Sequence, residues 1–346
     1  MLEQKDIFVS GTSGYHTFRI PSLIAAKNGD LLAFCEGRRD GNSDTGTIEI
    51  LLRRSQDGGD NWSPIECVWA DPQNTCGNPC PVLDETTGRI SLLMTHNLGA
   101  DVESKIIDGT SNGTRTVRLS QSSDNGKSWS APTDITSATK REDWTWYATG
   151  PGAGIQLKTG RLIIPCDHIE AVSKKYYSHV IISDDSGLNW YLGGTTPNDQ
   201  VNECEVAELP SGTLLLNMRN YDRKQRTRAY SYSEDGGLNW SSITHHPELI
   251  EPICQASMRR ISVRNNNYLL FSNPANLESR TDMTVRLSSD DGKTWSHARQ
   301  LHKGPSAYSC LHTTGQGQGY CLYECGKNNP YESIRLAHFD LTWLKT

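Results

Sequence analysis

Short runs of alternating apolar and polar residues dominate the chain. IEILLRRS, RTVRLSQS, SHVIISD, TRAYSYS and TVRLSSD alternate at period two, the signature of half-buried strands. No helical periodicity of any length competes with them. Each run leads into the same motif, S-x-D-x-G-x-x-W, at Ser55–Trp62, Ser122–Trp129, Ser183–Trp190, Ser233–Trp240 and Ser288–Trp295. The motif reads as a hairpin turn. Its aspartates, Asp57, Asp124, Asp185, Asp235 and Asp290, accept hydrogen bonds from the turn's own backbone. Its glycines take the positive φ the turn needs, and its tryptophans pack back on the strands. These aspartates are turn staples, not catalysts.

The tryptophans are separated by 67, 61, 50 and 55 residues, a mean just over 58, so 346 residues hold close to six units. A sheet-sized unit repeated about six times predicts an all-β, six-bladed β-propeller with four antiparallel strands per blade and five of these turns. The sixth unit lacks the motif. It is expected to form from about residues 305–341 plus a first strand near Ile7–Ser10, which closes the ring and removes free edges. No low-complexity linker interrupts the units, so residues 1–346 are expected to be one propeller domain.

Composition agrees with many tight turns: 30 Gly, 9 Trp and 13 Tyr. The formal net charge of −6 argues against a general nucleic-acid binder. No apolar run reaches the ~18–20 residues of a membrane span. MLEQKDIFVSG has no basic or apolar leader pattern, so the expected location is cytoplasmic, or secreted or periplasmic if a signal peptide has been removed. Most of the ten cysteines sit in apolar, strand-like stretches and read as reduced core thiols. Cys76/Cys80 and Cys321/Cys325 have C-x3-C spacing; core and loop thiols are the preferred reading over a disulfide or a zinc site. The ten histidines show no metal-ligand spacing. No metal and no cofactor is expected.

The chemistry lies outside the repeat. Arg19 in YHTFRIPSLI and Arg219 in TLLLNMRNY interrupt apolar strands, and Arg280 precedes DMTVRLS. A buried guanidinium needs an acceptor, and each arginine alone reads as a structural salt bridge. Three converging on a propeller axis would instead grip a carboxylate or phosphate.

FRIP at Phe18–Pro21, the five motif turns, GNPCPVLDETTG, NECEVAEL, SAYSCL and CLYE together resemble the exo-α-sialidases (neuraminidases) of the bacterial and animal propeller type, over essentially the whole chain. The resemblance implies that Arg19, Arg219 and Arg280 hold the carboxylate of sialic acid, that Tyr308 is the nucleophile, that Glu203 is its general base and that Asp44 is the general acid/base. Asp40 is the competing carboxylate in the same loop. The resemblance also implies substrate contacts for Arg38 and Asn78, and the segment 144–152 supplies Trp146 or Tyr147 as walls for the N-acetyl group. Tyr176 and Tyr177 sit in a neighbouring loop and face the glycerol tail or nothing. A tyrosine nucleophile suits this substrate. A carboxylate would be repelled by the substrate's own carboxylate, whereas a neutral phenol is not, provided a neighbour takes its proton. The arginines' positive field is expected to favour phenolate.

The expected function is therefore hydrolysis of terminal α-linked sialic acids from glycoproteins, glycolipids and oligosaccharides, with retention through a tyrosyl-enzyme intermediate. Alternatives are a related ulosonic acid such as KDN or Kdo, transfer to a sugar acceptor, or a non-catalytic glycan-binding propeller. Linkage preference and oligomeric state are not legible.

Overall fold

The computed structural model describes residues 1–264 and 266–346. The alternating runs become the strands Ile48–Ser55, Thr116–Ser122, Tyr176–Ser183, Thr227–Ser233 and Met283–Ser288, each ending on the serine that opens a motif turn. All five turns repeat one set of bonds. In the first, Ser55 Oγ donates to Asp57 Oδ1 and accepts from Gly59 N–H, each at 2.8 Å, while Asp57 Oδ1 accepts from Asn61 N–H at 2.8 Å. The equivalent bonds recur at Asp124, Asp185, Asp235 and Asp290. The five glycines have φ between 79° and 107°, the left-handed region in which a side chain is strained. Trp190, Trp240 and Trp295 are buried against the strands.

The described residues form five hydrogen-bonded sheets. Three have four strands, one has five and one has eight, all antiparallel within their hairpins. This is an all-β propeller, but not the six separate sheets expected from the repeat. The difference is local: Ile48 and Thr75 make a single parallel pair, which fuses two runs of four strands (Thr17–Ala25 to Glu66–Trp69, and Thr75–Leu83 to Thr133–Asp134) into the eight-stranded sheet. The last sheet has the order Leu2–Val9, Ser333–Asp340, Gln318–Cys325, Ser306–Thr313. The first strand thus covers the outer edge of the final hairpins, joining the two ends of the chain.

The strands nearest the axis pack on one another, and apolar clusters fill the spaces between neighbouring sheets. The axis is tied across by the carbonyls of residues 151–153. Gln255 Nε2 donates to Pro151 O at 3.1 Å, Ser22 Oγ to Gly152 O at 2.8 Å and Arg259 Nη2 to Ala153 O at 2.5 Å. All ten cysteines are free, nine of them buried, and neither C-x3-C pair is bridged. Among the described residues no group of three His, Cys, Asp or Glu is placed to hold a metal ion, and no helix is long and apolar enough to cross a membrane.

Candidate active site

Five of the strands at the axis share one irregularity, which Ser257–Val263 lacks. Their pairing register shifts between Arg19 and Ser22, Gly77 and Cys80, Trp144 and Tyr147, Val201 and Cys204, and Ser306 and Ser309. Ile20 and Asn78 have φ of 60° and 52°. A bulge breaks the alternation of faces and re-aims the side chains beside it. Here Arg19, Asn78, Trp146, Glu203 and Tyr308 flank or lie within the irregular steps, and all five line one cavity of about 390 Å³ at the end of the axis.

Arg19, Arg219 and Arg280 reach this cavity from different sheets. Arg19 Nε donates to Glu324 Oε1 at 2.7 Å, and its guanidinium lies 4.1 Å over the Tyr331 ring. Arg219 Nη1 donates to Glu203 Oε2 at 2.7 Å and to Tyr308 Oη at 3.1 Å. Arg280 Nη1 donates to Tyr331 Oη at 3.1 Å. Burial pulls Arg19 and Arg219 toward neutrality, but Glu324 with Tyr331 and Tyr308 around the first, and Glu203 with Tyr308 and Tyr221 around the second, together outweigh it and hold both pKa values well above the usual one. The cup stays cationic.

Tyr308 Oη donates to Glu203 Oε1 at 2.5 Å, and the Arg19 and Arg280 guanidinium carbons lie 5.1 and 5.6 Å from its ring centre. Burial, then the charge of Glu203, push the phenol well above its ordinary pKa; Arg219 and Arg280 act downward without prevailing. The arginine field favours phenolate, as expected, but burial and Glu203 outweigh it in the resting site. The resting phenol is therefore held neutral, with its hydroxyl hydrogen-bonded to the Glu203 carboxylate. Glu324 joins this pair to the cup: its Oε2 accepts from Tyr308 N–H at 3.1 Å while Oε1 accepts from Arg19 and from Ile20 N–H.

Asp44 lines the cavity mouth with 58 % of its side chain exposed, 2.7 Å from Arg38 and 3.9 Å from Arg19. Burial at the mouth raises its pKa, but Arg38 and then Arg19 overcome this and hold the carboxyl below its usual value. Asp40 is exposed and lies outside the cavity lining, beside the same loop. Arg38 is buried and gripped by Glu36 through Nε and Nη2 at 3.0 and 2.6 Å. Glu36 Oε1 also accepts from Asn78 N–H at 2.8 Å, so one carboxylate sets both residues.

Trp146 lines the cavity, but Tyr147 does not. Tyr147 is fully buried in an apolar cluster against Trp144 and His179. Adjacent residues on a strand face opposite ways, so Trp146 and Tyr147 could not both be walls. Tyr176 stacks on Tyr221 at 5.1 Å, and Tyr221 rather than Tyr176 or Tyr177 reaches the cavity. Sequence reasoning also missed Glu103, Arg115, Asp167, Asn202 and Tyr331, all of which line it. Arg115 carried a usable signal: it opens the apolar strand run RTVRLS much as Arg19 interrupts its own. Tyr331 lies in a surface loop with no distinguishing pattern.

The chain matches the family model described as BNR repeat-like domain over residues 29–321. It is 31% identical to a sialidase of Bacteroides fragilis over 91% of this chain, which spans 61% of that protein's length. It is also 31% identical to an exo-alpha-sialidase of Aspergillus fumigatus, with 96% of this chain and 86% of that protein covered. Among solved structures, the Hadza microbial sialidase Hz136 superposes with a TM-score of 0.90 at 28% identity, covering 99% of this chain and 69% of the other. With its motif turns, propeller sheets and arginine-lined axial cavity, the chain belongs to the sialidase family.

Proposed function

We propose that the chain is an exo-α-sialidase, hydrolysing terminal α-ketosidically linked sialic acids of glycoproteins, glycolipids and oligosaccharides with retention of configuration. The observation that carries this reading is the Tyr308–Glu203 pair at 2.5 Å, bonded to Arg219 within a cup of three arginines. A carboxylate on the anomeric carbon, ionised near neutral pH, meets guanidinium groups that bond it in a plane. That fixes the anomeric carbon above the phenol.

The first displacement follows. Asp44 gives a proton to the leaving glycosidic oxygen as the C2–O bond breaks. Tyr308 Oη bonds to C2, and its proton passes to Glu203. In the second, Asp44 takes a proton from water, the water oxygen bonds to C2 and the tyrosyl bond breaks; Glu203 returns the proton to Tyr308. The transition state has oxocarbenium character, and the negative charge shared between the Tyr308 oxygen and Glu203 as the proton passes stabilises it. Asp44 is held ionised by Arg38 and Arg19 in the resting site. A bound substrate carboxylate offsets that positive field, so Asp44's pKa rises when the substrate arrives. Binding itself thereby arms the acid.

The same reading takes the eight-stranded sheet as two blades touching at one residue pair, which makes six blades of one domain over residues 1–346. The test is release of free sialic acid from sialyl-lactose, with the first-formed anomer followed by NMR. Wild type is expected to give the α-anomer first, and folded Tyr308→Phe to lose at least about a hundredfold in rate. A wild type that releases nothing, or a Tyr308→Phe of near-normal rate, contradicts the reading.

A further inference from the structure

Tyr308 and Glu203 stand on strands of different sheets, Ser306–Thr313 and Val201–Glu208. Among the described residues no backbone ladder joins the two strands, yet the side chains meet at 2.5 Å. Something else must set that separation. The strand Ser306–Thr313 is also the edge of its sheet. Every second residue of an edge strand turns its N–H and C=O away from the hairpin, and when buried these groups need other partners. At the irregular step of this strand, Tyr308 N–H already turns to the Glu324 side chain.

The partners come from one segment. Ser309 N–H donates to Gln255 Oε1 at 2.9 Å, and Gln255 Nε2 donates to Ser309 O at 2.9 Å and to Pro151 O at 3.1 Å. A carboxamide offers one oxygen and two hydrogens, and all are in use here. Gln255 thus stands in for a missing strand at the residue that follows Tyr308. Farther along, Ser257 Oγ accepts from Leu311 N–H at 2.8 Å and donates to Glu205 Oε2 at 2.8 Å. Glu205 lies just beyond Glu203 on the same strand, and its Oε2 also accepts from Met258 N–H at 2.7 Å. Gln255, Ser257 and Glu205 are each at most 1% exposed, and none of them lines the cavity. Behind the site, a chain of side chains therefore runs from the strand of the phenol to the strand of the base.

We propose that Gln255 is a positioning residue for the reaction: its two-bond grip on Ser309, braced through Ser257 and Glu205 to the strand of Glu203, sets where the Tyr308 phenol lies against Glu203 and the anomeric carbon. This rests on the sialidase reading above. Gln255 acts through the backbone beside the nucleophile and not on the substrate. The same segment supplies the Ile253 carbonyl, which accepts from Arg280 Nη2 at 3.3 Å. A residue that merely held the segment in place would, when lost, loosen Arg280 and weaken carboxylate binding along with the rate. A residue that aims Tyr308 costs rate and leaves binding intact.

The test is Gln255→Met, close in volume but without the three bonds, assayed on an activated aryl ketoside of sialic acid with thermal unfolding as the folding control. The expected kcat falls about ten- to a hundredfold, the range that a misplacement of about 1 Å produces. The inhibition constant for free sialic acid, which reads binding without chemistry, is expected to stay within about threefold of wild type. In a Tyr308→Phe background the same substitution is expected to cost no more than about threefold, because no nucleophile is left to aim. A near-normal kcat in folded Gln255→Met, an inhibition constant that weakens in step with kcat, or an undiminished loss in the Tyr308→Phe background overturns the proposal. If Gln255→Met does not fold, Ser257→Ala makes the same comparison: a selective loss in kcat of about three- to tenfold supports the proposal, and no loss, or one shared with binding, overturns it. A wild type that releases no sialic acid refutes the sialidase reading itself, which is distinct from an active wild type whose rate ignores Gln255.

Discussion

Replacing Glu203 by Gln separates the roles at the centre of the site. Glu203 makes two bonds: Oε1 accepts from Tyr308 Oη at 2.5 Å and Oε2 from Arg219 Nη1 at 2.7 Å. Glutamine keeps an acceptor for the phenol but cannot take its proton, and it presents an uncharged group to Arg219. A positioned base contributes about 10²–10⁴ in rate, or about 3–5 kcal/mol at 1.36 kcal/mol per tenfold. The expected kcat for Glu203→Gln is lower by that factor. KM falls or is unchanged, because Arg219 no longer divides its charge between Glu203 and the substrate carboxylate. A second readout comes from the phenol. The charge of Glu203 raises the Tyr308 pKa while Arg219 and Arg280 lower it, so removing that charge shifts the Tyr308 titration to lower pH, visible as phenolate absorbance. Thermal unfolding controls for the lost ion pair, whose partners are 12% and 11% exposed. A folded variant with kcat within threefold of wild type, or with an unchanged kcat and a tenfold higher KM, would make Glu203 a clamp for Arg219 and not a base.

Arg280→Lys keeps the charge but loses the planar fork, and kcat/KM for sialyl-lactose is expected to fall about ten- to a hundredfold; near-normal turnover would remove Arg280 from the cup. Asp44→Asn should cost about 10²–10⁴ with a sugar leaving group and far less with an activated aryl one, so equal losses would deny it the acid role. Because Arg38 and Arg19 hold Asp44 low in the free enzyme, the alkaline limb of kcat/KM should lie at lower pH than the limb of kcat, measured as full pH profiles; the reverse order would contradict the charge-offset argument. In the motif turns, local hydrogen bonds bring Asp57 and Asp124 to about 2 and Asp235, despite slight burial, to about 2. These folded values lie below the unfolded one of about 3.9, so the turns' stabilisation is present above about pH 4 and lost as pH falls toward 2. The melting temperature of wild type should drop across that window, and Asp235→Ala should melt lower at pH 7 with a shallower acid dependence.

What was legible in the sequence was what is local. Each motif turn closes on itself through Ser, Asp and Gly within five residues, as at Ser55, Asp57 and Gly59, so its recurrence reports the architecture without any tertiary knowledge. Arg19 and Arg219 stood out because a charge in an apolar strand needs a reason. Arg115 was overlooked because it stands just before its strand, where an arginine passes for a surface residue. Tyr147 was misassigned because the irregular step between Trp144 and Tyr147 is invisible in the residue types, and only the strand's facing decides which aromatic turns inward. The number of separate sheets was missed because a single pair, Ile48 with Thr75, depends on how a short connection folds. Glu36 and Glu324 act across the chain, on Asn78 and on Arg19 and Tyr308, and no spacing rule finds such partners.

The central claim is that the phenol of Tyr308, beneath the arginine cup, bonds the anomeric carbon. Incubation with a fluorinated sialyl donor that slows turnover of the intermediate, followed by peptide mass spectrometry, tests it directly. The account predicts one sialyl adduct, on the peptide containing Tyr308, that disappears in Tyr308→Phe. An adduct on another residue, or none while the same preparation hydrolyses sialyl-lactose, would contradict it.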